Sequence, residues 1–325
     1  MAERQADNLI WFARTFRKAF GDRYQFGAYY GYPMEYGGSP MRMLFSGHLG
    51  AGRYIKNAPL DLISCPASYA LRRTPDSHAF MNPADSCILR GKLPILENDV
   101  RNFIQPGNSD SSGSTIIGMR DSLENDLRLA LLAHAHGAVV RYLALSDTVD
   151  WFAPLSSIAN IARINRLGME HRPAALGAPG QVAFAIDPDS LTGIADYPRD
   201  GRFQGEFISR GRDTVMRTGR SAAFLLLDDV LDHPGKWQYV AVPLPSLLDK
   251  DKLAKLEAQF GPLPKLTPDD GVLILRPEGN VTAGTREAFW KALATPEALD
   301  AGIKTVWYIG DNFRYTWDGK TLVKR

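Results

Sequence analysis

The sequence predicts an α/β protein: a partial (half) β/α barrel followed by a small doubly wound, flavodoxin-like α/β domain. Short apolar runs recur along the chain, as in strands that are buried on both faces of a parallel sheet. A helical pattern or a long loop follows most of these runs. After Arg172 the composition shifts to a loop rich in Pro, Ala and Gly, which divides the 325 residues into predicted domains 1–172 and 173–325.

The composition is that of a soluble globular protein, with 45% hydrophobic and 23% charged residues. A net charge of +2 argues against electrostatic binding of nucleic acid. The two cysteines, Cys65 and Cys87, are too few for a disulfide framework or a four-cysteine metal site, and neither a metal nor a cofactor is predicted. No apolar run is long enough to span a membrane and the charged N-terminus lacks a secretory pattern, so a cytoplasmic protein is predicted.

The first predicted domain contains four strands. A helix over residues 7–20, with apolar residues at helical spacing, precedes them. The predicted strands are Tyr24–Tyr32, Leu60–Cys65, Lys92–Glu97 and Ala138–Leu145, and the helices between and after them are Ser46–Lys56, a segment from Asp121 to His136, and Ile158–Leu167. Asp121 and Glu124 have the spacing of a capping box at the start of the second of these helices. This order is half of an eight-fold β/α barrel.

The second predicted domain repeats strand–helix units of similar length. The strands are Gln181–Ile186, Ala222–Leu227, Trp237–Val242, Gly271–Leu275 and Thr305–Ile309, and the helices are Gly205–Thr218, Lys250–Phe260 and Thr285–Ala294. A hairpin is predicted around Asp318-Gly319. Such repetition predicts a small doubly wound sheet.

Glu97 is the first candidate catalytic residue. It ends the apolar strand in the stretch GKLPILENDVR, where the sequence turns abruptly polar. Parallel α/β folds place their chemistry at the carboxyl ends of their strands. The alternative is a strand that ends in a solvated acidic turn.

Two further carboxylates lie near predicted strand ends. Glu35 follows the aromatic strand on the same predicted face as Glu97, and a solvated loop position is its alternative. Asp99 is two residues beyond Glu97, and pairing with Arg101 or Arg90 would give it a supporting role.

The candidate substrate-binding residues are mostly aromatic. Aromatic rings at strand or loop ends suit stacking on sugars, although each is more often ordinary packing. His48, at a helix start, could bind a substrate hydroxyl or pack within its helix. The loops 66–86 and 105–120 are predicted on the face of Glu97, with Arg72, Asp85 and Arg101 close to it. The binding candidates are Tyr30, Tyr32, His48, Tyr69, Asp85, Arg101 and Trp151.

Four stretches carry a resemblance to a known family. They are YQFGAYYGYPMEYGG, SGHLGAGRYIKNAPLDLISCPASY, FMNPADSCILRGKLPILENDVRN and the Trp151-Phe152 turn, in this order. Together they resemble the second half of the catalytic barrel of glycoside hydrolases related to the family 42 β-galactosidases, in clan A. Residues 181–325 resemble the class I glutamine-amidotransferase-like trimerisation domain that follows that barrel.

The resemblance implies a retaining hydrolase of β-linked sugars that needs no cofactor. Glu97 matches the nucleophile, which ends barrel strand seven in that clan. The acid/base Glu of strand four has no counterpart here, and retaining hydrolysis needs a second carboxyl group. The remaining explanations are a fragment, a half supplied by another protomer, or a local carboxylate: Glu35, Asp85, Asp99, Asp147 or Asp150. The rival hypothesis is a non-catalytic carbohydrate-binding or assembly protein.

The predicted second domain has no thiol chemistry, because residues 173–325 contain no Cys and only His233 among histidines. An oligomerisation or lid role is predicted for it. Half a barrel also leaves two open strand edges and an apolar inner face. A homo-oligomer, either a dimer or a trimer, is predicted to cover them, and the alternative is a second domain that folds back over the open side.

Overall fold

A four-stranded parallel sheet forms the first part of the fold in this computed structural model. The structure describes residues 1–35, 44–71, 79–100, 118–144, 151–170, 181–196, 205–233, 236–267, 270–276, 279–283, 291–294, 306–309, 313–317 and 322–324. The strand order is β1 (Gly27–Tyr29), β2 (Leu62–Pro66), β3 (Leu93–Asn98) and β4 (Val139–Tyr142). The register pairs Tyr29 with Ser64, Pro66 with Glu97, and Glu97 with Arg141. The carboxyl ends of all four strands therefore meet at one edge.

The described helices connect and flank these strands. They are α1 (Ala2–Phe20), a 3₁₀ turn (His48–Gly50) that continues into α2 (Ala51–Asn57), α3 (Ala84–Ile88), α4 (Met119–Ala135) and α5 (Leu155–Glu170). Helix α1 buries Ala6, Ile10 and Ala13, whose spacing of three and four residues forms one face. No helix in the described part of the chain is long and apolar enough to cross a membrane.

A five-stranded mixed sheet forms the second part. Its order is β6 (Ala222–Leu226), β5 (Val182–Ile186), β7 (Tyr239–Pro243), β8 (Val272–Arg276) and β9 (Gly279–Ala283). Strands β6, β5 and β7 are parallel, whereas β8 and β9 are antiparallel to their neighbours. A separate antiparallel sheet contains β10 (Val306–Ile309), β11 (Phe313–Trp317) and β12 (Leu322–Lys324). The described α-helices of this part include α6 (Arg210–Arg217), α7 (Leu227–Asp232) and α8 (Lys250–Phe260), and a π-helical turn, Gly205–Ser209, precedes α6.

The predicted α/β class is confirmed, with several local differences. The loop predicted over 66–86 contains the start of α3, and Leu227, predicted as the last residue of a strand, is the first residue of α7. The predicted capping box is wrong: α4 begins at Met119 with Gly118 as its N-cap, and Glu124 pairs with Arg128 one turn later. The predicted strand Tyr24–Tyr32 shortens to three residues. The strand begins at Gly27. A Cβ at this position would lie 1.7 Å from the side chain of Leu62, so the close approach of β1 and β2 requires a glycine here.

The two parts are packed against each other. Strand β6 is the edge of the mixed sheet, and α3 covers that edge: Phe224 N–H donates to Asp85 at 2.6 Å and Leu226 N–H donates to the Ser86 hydroxyl at 2.7 Å. Arg90 pairs with Asp229 across the same boundary. Side chains thus satisfy backbone groups that an open edge would leave unpaired. One apolar cluster also contains residues of both sheets, among them Leu96 and Phe224.

A buried ion pair anchors this boundary. His136 follows α4 and contacts the Asp85 carboxylate through Nδ1 at 3.0 Å. Burial acts to lower the pKa of His136, but the charge of Asp85 and the hydrogen bond outweigh it, so that the pKa of His136 is raised. Asp85 therefore bridges the His136 ring and the edge of the second sheet.

Candidate functional site

Glu97 lies at the carboxyl edge of the parallel sheet and is buried, with 5% of its surface exposed. Its carboxylate accepts a hydrogen bond from the hydroxyl of Tyr29, and its Oε2 atom is 3.8 Å from Nη1 of Arg141. The same arginine also donates to the Tyr29 hydroxyl. The three side chains come from β1, β3 and β4 and form one connected polar group, here called the Glu97 site. Two donors thus surround one buried carboxylate.

The chemistry of Tyr29 follows from this contact. Burial raises the pKa of Tyr29, and the hydrogen bond to Glu97 raises it further. The phenol therefore keeps its proton and acts as a donor to the carboxylate. Tyr29 and Arg141 are also well exposed, at 46% and 52%. They form the side of the site that faces solvent.

Sequence reasoning missed Tyr29 and Arg141. It selected Tyr30 instead, whose side chain points to the opposite face because successive strand residues alternate. The Tyr30 hydroxyl donates to Gly47 O at 2.7 Å, and its ring packs edge-on against Tyr54. Tyr30 is therefore part of the helical layer.

Tyr32 and His48 pack together behind β1. Their rings stack with centroids 4.3 Å apart, and His48 Nδ1 accepts a hydrogen bond from Gly31 N–H at 3.0 Å. Burial lowers the pKa of His48 to about 4, so the ring is neutral at physiological pH. These contacts are those of a packing residue, which was the second of the two alternatives given for His48.

Glu35 is buried in a network that joins the two parts of the fold. Its carboxylate accepts hydrogen bonds from the Ser68 hydroxyl at 2.8 Å, from Ala70 N–H at 2.9 Å and from Arg212. Arg212 is itself fully buried in α6 and also donates to the carbonyl groups of Phe80 and Ser209. The described contacts of Glu35 thus hold the segment after β2 and helix α6 to the strand ends.

The segment after β2 lies beside the Glu97 site, as predicted for the first part of the loop 66–86. Ala67 N–H donates to the backbone carbonyl of Glu97 at 2.8 Å. Asp85, in contrast, lies in α3 and contacts His136 and β6, as described above. The loop predicted over 105–120 lies mostly outside the described residues.

The remaining candidates are placed as follows. Asp99 is buried just beyond β3, and Trp151 is buried at 1% exposure, which is typical of packing. Tyr69 is exposed at 42% on the segment that also carries Ser68. Arg72, Arg101, Asp147 and Asp150 lie outside the described residues, as does most of the predicted helix Thr285–Ala294.

A second buried polar pair lies directly behind the Glu97 site. Asn98 Nδ2 donates to Asp126 on α4 at 2.6 Å, while Asn98 Oδ1 accepts from Val100 N–H at 3.2 Å. Burial raises the pKa of Asp126 to about 6, although the hydrogen bond from Asn98 opposes this. Asn98 thus links the chain after β3 to helix α4.

The raised pKa of Asp126 predicts a pH-dependent stability. In the unfolded chain this carboxyl group ionises near 3.8, whereas the fold keeps it protonated until about 6. Its contribution to stability is therefore fully present below pH 3.8 and is lost as the pH rises through about 6. Asp126→Asn keeps the acceptor oxygen but cannot ionise, so we expect it to be more stable than wild type at pH 7.5 by about 3 kcal/mol.

Urea unfolding at pH 4 and pH 7.5 measures this difference. The gain should disappear at pH 4, and the exposed control Asp121→Asn on the same helix should show no gain at either pH. An Asp126→Asn protein that is less stable than wild type at pH 7.5 would contradict the interpretation.

The reactive group of the Glu97 site is a carboxylate whose position is fixed by Tyr29 and Arg141. Among the described residues, the side chains that pair with the Glu97 carboxylate are Tyr29 and Arg141, and no group of three or more His, Cys, Asp and Glu residues could hold a metal ion. No family model matches the chain, and no curated protein or solved structure is significantly similar to it. The resemblance to family 42 β-galactosidases therefore stays a prediction.

Proposed function

We propose that the protein is a glycoside hydrolase that acts on β-linked sugars with retention of configuration. In this proposal, Glu97 attacks the anomeric carbon and forms a covalent glycosyl-enzyme. The bond to the leaving oxygen breaks, that oxygen takes a proton from a second carboxyl group, and water then releases the sugar. The observation that carries the proposal is a single buried carboxylate held by a phenol and a guanidinium at the carboxyl edge of parallel strands.

Three features support a nucleophile rather than a structural carboxylate. Glu97 lies one residue before the carboxyl end of β3, whose two neighbours are parallel to it, and β/α folds place catalytic groups at such ends. Tyr29 and Arg141 orient the carboxylate from the side that faces solvent, so that a ligand can approach. Glu35, by comparison, has its carboxylate oxygens engaged by loop and helix donors.

The finer fold assignments belong to the same proposal. The parallel sheet would be the second half of a β/α barrel, and the mixed sheet would be a flavodoxin-like domain of the glutamine-amidotransferase type. Under this proposal the catalytic domain is 1–172, and residues 173–325 are a non-catalytic domain.

A second candidate function is a non-catalytic carbohydrate-binding protein. It is favoured by one observation: the described side chains that pair with Glu97 are a phenol and a guanidinium, not a second carboxyl group. Retaining enzymes need the two carboxyl groups about 5 Å apart. Under this alternative, Glu97, Tyr29 and Arg141 would bind sugar hydroxyls.

A panel of activated aryl glycosides separates the two functions. Dinitrophenyl leaving groups need no protonation, so Glu97 alone can cleave them. We expect release of dinitrophenol from at least one β-glycoside and from none of the matched α-glycosides. Sugar binding by calorimetry without any release would contradict the hydrolase and favour the binding protein.

A further inference from the structure

The parallel sheet exposes one of its two faces. Because strand residues alternate and β3 pairs with β4, the residues Leu93, Ile95, Glu97, Val139 and Arg141 share this face. Leu93 is 37% and Val139 is 39% exposed. Leu96, on the other face, is fully buried beneath the helical layer. The face that carries the Glu97 site is therefore partly apolar and open.

An apolar surface also flanks each outer edge of this sheet. On the β1 side, the exposed aromatic residues of α1 and the turn after it are Trp11, Phe12, Phe20 and Tyr24. They adjoin the start of β1, because Phe12 and Phe16 contact Phe26 with ring centroids 5.8 Å and 4.6 Å apart. We call this group the aromatic flank. Trp11, on the same helix, is 67% exposed.

On the β4 side the exposed residues are aliphatic. Helix α5 follows β4, and a right-handed connection places it beyond that strand. It packs on α4 through Asn160, whose Nδ2 donates to Leu123 O at 3.0 Å. Its outer residues Leu155, Ile158 and Met169 are 84%, 51% and 82% exposed. We call these three residues the aliphatic flank.

The second part of the fold carries no comparable surface in the ranges described. All well-exposed large apolar side chains that the structure describes lie between Met1 and Met169, and the described side chains from 181 to 276 and at 291–294 include none. Large exposed apolar patches mark interaction sites. The exposed face of the parallel sheet and its two flanks therefore form the candidate interaction surface.

We infer that a second copy of this chain covers that surface, so that two four-stranded sheets close one eight-stranded barrel around the Glu97 sites. Strand β1 of one copy would pair with β4 of its partner, and the reverse contact would form on the other side. All four strands are parallel, so a two-fold axis along the barrel would make β1 and β4 of the two copies parallel neighbours. Neither copy would then keep an open strand edge. Eight strands also give an interior that side chains can fill.

The two flanks favour a second copy over an unrelated partner. In the closed arrangement each aromatic flank meets the aliphatic flank of the other copy, so both flanks find an apolar partner. An interface of two edges and two flanks would bury on the order of 2,000 Å² or more, as stable homodimers do. This inference does not require that Glu97 is catalytic, since it rests on the strand edges and the exposed residues alone.

Thiol cross-linking tests the contact between unlike flanks. The native thiols of Cys65 and Cys87 are buried, and both chosen positions are exposed, so Trp11→Cys and Ile158→Cys each add one accessible thiol without removing core packing. We expect a short bismaleimide to link a mixture of the two variants into a covalent dimer. Each variant alone should stay unlinked, because like flanks lie on opposite sides of the two-fold axis.

Light scattering over a dilution series gives the mass independently of any activity. We expect twice the chain mass of 35.9 kDa, and a return to the chain mass on dilution or with Ile158→Glu. A monomer at all concentrations would overturn the inference and point to a different chain as the cover. Cross-links in either single-variant sample would also overturn it, because they would place like flanks together. Either result leaves the glycosidase proposal untouched, since the aryl glycoside panel decides that separately.

Discussion

Replacing Arg212 with alanine is expected to cost about 3–5 kcal/mol of unfolding free energy. The guanidinium is fully buried, and it pairs with Glu35 while donating to the carbonyl groups of Phe80 and Ser209. Its removal leaves a buried carboxylate without its countercharge and two carbonyl groups without this donor. Such groups are expensive because the interior cannot hydrate them.

The matched control is Arg128→Ala on α4. Arg128 also pairs with a glutamate, Glu124, but both side chains are partly exposed, so the expected loss is only about 0.5 kcal/mol. Urea unfolding at pH 7 measures both variants. If Arg212→Ala is too unstable to purify, Glu35→Gln removes the charge but keeps the shape, and should cost less. Equal stabilities for Arg212→Ala and Arg128→Ala would show that the buried pair does not hold the two parts together.

Replacing Glu97 with glutamine is expected to lower kcat/KM for an aryl β-glycoside on the order of 10⁴-fold. Glutamine preserves the size of the side chain and its contact with Tyr29, but its amide cannot act as the nucleophile. Binding of the free sugar should change little, because the surrounding donors remain. Steady-state kinetics and calorimetry together separate the loss of chemistry from a loss of binding.

The control for this substitution is Asp99→Asn. Asp99 is buried near the same strand end, but the described contacts place Tyr29 and Arg141 on Glu97. We expect Asp99→Asn to retain most of the activity. The reverse result, with Asp99→Asn inactive and Glu97→Gln active, would move the nucleophile to Asp99.

The position of Glu97 could be predicted because the signal is local. A short apolar run that stops on charged residues indicates a buried strand and its functional end within one stretch of sequence. The α/β class followed in the same way from the repetition of such runs. The direction of each strand could not be predicted from these runs. An apolar run such as Val272–Arg276, which is antiparallel to its neighbour, has the same sequence pattern as a strand in a parallel pair.

The partners of the candidate carboxylates could not be predicted, because they come from distant parts of the chain. Tyr29 is 68 residues from Glu97, and Arg212 is 177 residues from Glu35. A three-residue strand is also too short to show its alternation, so Tyr30 and Tyr29 could not be told apart. The predicted position of Asp85 near Glu97 was wrong for a related reason. The sequence around Asp85 does not show that it lies in a five-residue helix, which directs its carboxylate toward β6.

Covalent trapping tests the assignment of Glu97 as nucleophile most directly. A dinitrophenyl 2-deoxy-2-fluoro-β-glycoside of the best substrate in the panel needs no acid to lose its leaving group, and the fluorine slows release of the sugar from the enzyme. Peptide mass mapping after brief incubation should find one fluoro-sugar on the peptide that carries Glu97, and none in Glu97→Gln. A label on any other carboxylate, or unlabelled protein that still hydrolyses the parent glycoside, would contradict the account.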